Sequence, residues 1–237
     1  MKKLYILFFF TAFAFTANAQ ITELFISEYA EGSSNNKYIE IYNGTGSTVD
    51  LSDYELWRIS NGGNWPESTV ALTGTLAPGE VLLAANSSAD AAILNLSNAS
   101  TAFNTATFFN GDDAVGLAKD DGSGTFILID AIGEDGPDPG SGWDVAGTTD
   151  ATAEHTLVRK SSVCSPNTNW ASSAGTTTAN SEWIVEPQNT WTFAGSHTTN
   201  CQSSESNTFT LQLLHYADVD GNEELALDAV DEFSGVV

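Results

Sequence analysis

The sequence is poor in cations, in sulfur and, past its first residues, in long apolar runs. Its 237 residues include 7 Lys and Arg against 31 Asp and Glu, a formal charge of −24. Such a charge repels nucleic-acid phosphates and anionic membranes, so no direct nucleic-acid grip is expected. A solvated acidic surface explains the excess more simply than a dedicated cation store, with scattered Ca²⁺ sites as the alternative. Only Cys164 and Cys201 are present, too far apart for a CxxC metal or redox motif. GxSxG, HExxH and P-loop motifs are missing, as is any repeat of fixed period. His155 and His197 have no Ser or Cys nucleophile motif beside them and are expected to be surface or turn residues whose rings complete a hydrogen bond.

What is present begins with a targeting segment over residues 1–19. Lys2 and Lys3 precede a short apolar core, and Ala17-Asn18-Ala19 has the small-x-small form of a cleavage site. Cleavage would leave Gln20 first, and no Cys follows that could carry a lipid. No later stretch is apolar for long enough to span a bilayer. The expected location is therefore extracellular, with the periplasm as the alternative. In that oxidising setting two cysteines imply one disulfide, Cys164–Cys201, closing a loop of roughly 36 residues and contributing on the order of 3–4 kcal/mol.

The body of the chain alternates apolar and polar residues at the period of half-buried strands. Strands are expected near 24–29, 37–42, 55–59, 81–85, 114–118, 126–132, 156–159 and 183–185, with a turn at 31–37 where Gly, Ser and Asn gather. One short alanine-rich helix is expected within 88–96, begun by Ser88 or Asp90. Residues 20–201 suit one elaborated all-β sandwich rather than two domains.

Two loops and the tryptophans carry the candidate binding residues. In the loop 134–144, Glu134, Asp135, Asp138 and Asp144 stand among turn residues, an oxygen-rich segment of the kind that wraps Ca²⁺. An ordinary inter-strand loop capped by Trp143 explains it more simply, just as hairpin-turn chemistry explains Asp112-Asp113 and Asp120-Asp121-Gly122. Trp57, Trp183 and Trp191 lie in strand-like runs and are expected in the core. Trp65, between Asn61-Gly62-Gly63-Asn64 and Pro66, is the candidate for an exposed contact that could stack on a sugar ring or another flat ligand.

After Cys201 the composition changes. Residues 202–208 read as a polar linker, 209–215 as a buried strand, and 226–237 as a helix, so 209–237 would open an α/β domain. Asp218, Asp220 and Asn222 also stand at the first, third and fifth positions of an EF-hand-like Ca²⁺ loop, but Glu223 and Ala229 occupy the positions where that loop has Gly and an acid.

Several segments together resemble the lamin-tail domain of secreted bacterial proteins: ISEYAEGSSNNKYIEIYN, VDLSDYELW, LAPGEVLLAAN, NGDDAVGLAKDDG, FILIDAIG and EHTLVRKS. The resemblance implies an immunoglobulin-like sandwich that serves as a non-catalytic binding or tethering module, attached in such proteins to secreted phosphatases or nucleases. The tail around LQLLHYADVD is similar to the opening strand of calcineurin-like metallophosphoesterases. By that similarity Asp218 matches a metal-binding Asp, and Asp220 stands where the family has His. The complete parent would then be a phosphoesterase with a pair of divalent metal ions, and the chain as given would be inactive. The partner implied is an extracellular or cell-surface ligand, and a monomer is expected.

Overall fold

The computed structural model describes residues 20–201 in full and the backbone of 202–203, 208–217 and 226–236. The targeting segment, Asp218, Asp220 and Asn222 lie outside the described residues. Ten strands build two facing sheets: β1 (Phe25–Glu31), β2 (Lys37–Tyr42), β3 (Tyr54–Ile59), β4 (Ser68–Ala71), β5 (Val81–Ala85), β6 (Ala99–Ser100), β7 (Ala114–Asp120), β8 (Phe126–Ile132), β9 (His155–Arg159) and β10 (Trp183–Pro187). The larger sheet runs β10-β9-β1-β2-β5-β6 and the smaller β8-β7-β3-β4. All pairings are antiparallel except β5 with β6. This is a mostly β, immunoglobulin-like sandwich. The helix expected in 88–96 is the short Ala91–Leu94, capped by Asp90.

Alternation sorts the side chains as a sandwich requires. Ile26 and Tyr29 of β1, Ile39 and Ile41 of β2, Leu56 of β3, Val115 and Leu117 of β7, Leu157 of β9 and Trp183 of β10 share one buried core between the sheets. Across this core, Arg159 of β9 pairs with Asp130 of β8 at 3.1 Å, both side chains fully buried. Asp130 also accepts the backbone N–H groups of Ile26 and Asn167. Burial raises the Asp130 carboxyl above its ordinary range, against the opposing pull of Arg159. The guanidinium lies 4.5 Å from the Trp183 ring centre, so one ion pair ties β8, β9, β1 and β10 together.

The large sheet is buried on its outer face too. Residues 188–200 cross it as an irregular strap. Trp191 packs on the cluster of Ala30, Tyr38, Leu83 and Ile93, the Gly195 N–H donates to Glu40 Oε2 at 2.6 Å, and the His197 ring sits 4.9 Å from Tyr42 and 5.5 Å from Phe25. At its end the Cys164–Cys201 disulfide forms as expected, with Cα atoms 5.6 Å apart. Two expectations are corrected here. Trp191 lies in the strap rather than a strand. His197 is half-buried within the strap, its Nε2 shielded from water without a hydrogen-bond partner, rather than a surface residue whose ring completes a hydrogen bond, and this burial pushes its ring down to about 4. His155 does complete a hydrogen bond, to the Ala153 carbonyl.

The tail departs further from expectation. Gln202–Ser203, the start of the expected linker, pairs in parallel with Gln20–Ile21. Beyond it, β11 (Thr208–Ala217) and β12 (Ala226–Val236) form an antiparallel hairpin. The helix expected over 226–237, and with it the strand-loop-helix opening of an α/β domain, is therefore replaced by a strand. A segment this short, containing Val230, Phe233, Ser234 and Gly235, has weak helix propensity, and a lone helix of that length is marginal. Pairing with a neighbouring strand satisfies its backbone instead.

Candidate functional site

Among the described residues no strap crosses the outer face of the small sheet. On β3 the outward positions are Glu55 and Trp57, and the indole N–H of Trp57 donates to Glu55 Oε2 at 2.8 Å. Trp57 stands opposite Gly116 of β7 in the strand register. A Cβ at Gly116 would come 2.5 Å from a methyl of Leu128 and 3.4 Å from the far edge of the Trp65 ring. The missing side chain thus makes the space in which Leu128 and Trp65 meet. Trp65 lies 6.5 Å from Trp57, ring centre to ring centre, at 34°. Trp57 is 7% exposed, whereas Trp65 is half-buried and keeps a solvent-facing part. The result is an aromatic and aliphatic platform of Trp57, Trp65 and Leu128.

The loop that carries Trp65 is fixed by its backbone. The Ser60 N–H donates to Glu67 Oε2 at 2.6 Å and the Asn61 N–H to Asp113 Oδ1 at 2.9 Å. Gly63 and Gly136 exchange two backbone hydrogen bonds of 2.8 Å. Gly62, at φ +82°, allows this approach, because a Cβ there would stand 2.5 Å from the Asp138 nitrogen. The structure therefore joins the loop of Trp65, the candidate for an exposed contact, to the acidic loop that carries the candidate ligand residues Asp135 and Asp138. Trp65 itself is less exposed than expected, because it leans on Trp57.

The carboxylates do different work. Asp113 is buried and bridges two loops, accepting from Asn61 and Asn110. Asp138 accepts from the Gly140 N–H at 2.7 Å, and Asp135 is exposed. Burial, reinforced by the negative charges of Asp113, Asp138 and Glu31, raises the Asp112 carboxyl above its usual range. Trp143 closes this loop as expected, edge-on to Trp170 at 6.5 Å. No group of three or more His, Cys, Asp or Glu side chains among the described residues is placed to hold a metal ion.

Sequence reasoning missed Gly116 and Leu128, which make the platform, and Glu28 and Glu40 under the strap. Glu28 takes a hydrogen bond from the Tyr38 hydroxyl, and its other oxygen is buried without a partner. Burial, with the negative charges of Glu40 and Glu186 adding to it, pushes its carboxyl up to about 8. The alternation of β1 with β2 marked both acids as outward, but the cover over them comes from residues more than 140 positions later in the chain.

Together these features define an immunoglobulin-like sandwich with one covered and one open outer face. The lamin tail domain family matches residues 17–135, half of the chain, and the chain belongs to that family. No curated protein and no solved structure gives a significant match. The matched residues end after β8, so β9 and β10, which complete the large sheet, lie beyond the match.

Proposed function

We infer that this chain is a secreted binding or tethering module without catalytic residues of its own, and that it meets its ligand through the open outer face of the small sheet. The observation that carries this is the Trp57–Trp65–Leu128 platform, presented by a loop whose backbone is hydrogen-bonded on both sides. Rigid aromatic side chains offer large contact area at little entropic cost, which is what a binding face needs. The disulfide fits an extracellular protein. No helix among the described residues is long and apolar enough to cross a membrane, so tethering falls to such contacts and to whatever the chain is joined to. The proposed organisation is a signal segment 1–19, a module 20–201 and a separate tail. Attachment to a phosphoesterase rests on the resemblance of the tail alone, and the strand at Ala226–Val236 removes the helix that supported it.

The purified chain, fused to a fluorescent reporter, tests this on bacterial envelope fragments in a pelleting assay. Retention that falls about tenfold in Trp65→Ala, with the thermal midpoint held within a few degrees, is expected. Retention equal to that of the reporter alone would remove the proposal.

A further inference from the structure

The two sheets leave four edge strands, and three of them are defended against pairing. β4 has four residues, β6 has two, and β10 carries Glu186 and ends in Pro187. Such shortness, charge and proline are the ordinary protections of a sheet edge. β8 has none of them at its open end. It begins Phe126-Ile127-Leu128-Ile129, has no proline, and its one charged residue, Asp130, is buried in the core. Ile127 is 51% exposed, among the most exposed large apolar side chains described. A bulge separates this open end from residues 130–132, where Asn167 closes over Asp130.

We propose that the open edge of β8 at residues 126–128 is a strand-addition site for an extended apolar peptide segment, flanked by basic residues, that belongs to another protein. This rests on the open face being the binding face and names its partner class. Leu128 belongs to both the edge and the Trp65 platform, so an added strand would lay its side chains toward Trp65.

Charge selects the occupant. Asp120 and Asp121 stand at one end of the edge, and the exposed Glu134 and Asp135 follow the other. A second copy pairing antiparallel would bring the acidic end of one edge against the acidic end of the other. Nor does the chain have cations to spare for a copy of itself. Lys37 is bound to Glu31 and Lys119 to Glu23, each at 2.6 Å, and Arg159 to Asp130. Lys160 donates to the Thr178 and Ser181 carbonyls. The guanidinium of Arg58 is the exception among the described residues, and its Nε is buried. A basic-flanked strand from elsewhere meets both requirements, backbone hydrogen bonds along the edge and positive charge at its ends.

The full chain is titrated with a short peptide of alternating valine and threonine carrying lysines at both ends, and with its glutamate-ended counterpart. Amide hydrogen exchange is read along β8. The lysine peptide is expected to slow exchange at 126–128 and to bind at least about tenfold more tightly than the glutamate peptide. N-methylation of its alternate residues should abolish the protection. Ile127→Ser, a change at an exposed side chain that leaves the fold intact, should weaken binding about tenfold. Equal affinity for both peptides, binding without protection at 126–128, or protection there produced by self-association of the chain would each overturn the proposal. If envelope retention depends on Trp65 while the peptides leave 126–128 unprotected, the edge site fails and the binding face stands. If neither is seen, both fail.

Discussion

The two outer faces of this sandwich start from similar strand patterns and end differently. On the large sheet, Phe25, Glu28, Tyr38, Glu40 and Tyr42 point outward and are sealed beneath residues 188–200. On the small sheet, Glu55, Trp57 and Leu128 point outward, and among the described residues the half-buried Trp65 packs above them. A face that is covered can hold carboxylates out of water, whereas a face left open keeps its aromatic area for a ligand. Stability should therefore concentrate at the strap and recognition at the platform.

Breaking the strap should have the largest effect. Cys201→Ser removes the link between cysteines 37 positions apart and should cost about 3–4 kcal/mol in denaturant unfolding. The same substitution should raise the exposure of Trp191 to quenchers while leaving that of Trp65 unchanged. Equal quenching changes at both faces would mean that the strap does not act on one side alone.

The next effect is a pH dependence written by the covered face. Glu28 holds its proton up to about 8 in the fold against an ordinary value of 4.5. Between those values the folded chain binds a proton that the unfolded chain has released, so stability falls as pH rises through that window. His197 works oppositely. Its folded value is about 4 against an ordinary 6.5, so its contribution is lost as pH falls below 6.5. The two slopes cancel between about pH 4.5 and 6.5. Above that range His197 no longer offsets Glu28, whose slope should remove about 2 kcal/mol by pH 8. Glu40, also raised by burial, adds to the fall. Glu28→Gln should flatten the decline above pH 6.5 in urea unfolding, and an unchanged slope would show that Glu28 is ionised beneath the strap.

On the open face the effects on stability should be smaller. Gly116→Ala places a methyl against Leu128 and the edge of Trp65. It should cost about 1 kcal/mol and shift Trp65 toward water, seen as a red shift in fluorescence. A loss as large as that from Cys201→Ser would mean that the platform is part of the core.

Much of the sandwich was legible because strand burial follows alternation over short distances. Residues 37–42, 81–85 and 126–132 form strands with the expected bounds. The disulfide was legible because only one pairing exists. The strap was not, since its sequence has no period and its position depends on contacts between residues such as Glu40 and Gly195. That is also why His197 read as a surface residue and Trp191 as part of a strand. In the tail, the alanine, leucine and acids of 226–237 suggested a helix, and pairing with the strand before it prevailed. Of the candidate site, Trp65, Asp135 and Asp138 were visible as loop residues. The gap at Gly116 was not, because a glycine inside a strand does not announce which neighbours fill its place.

The division of labour between the faces is tested most directly by the affinity of the full chain for envelope fragments, measured in parallel for Trp65→Ala and Trp191→Ala below their unfolding temperatures. The account predicts that Trp65→Ala binds at least about tenfold more weakly, while Trp191→Ala, though less stable, binds as the unmodified chain does. Weaker binding by Trp191→Ala with Trp65→Ala unaffected would place recognition on the covered face and contradict the account.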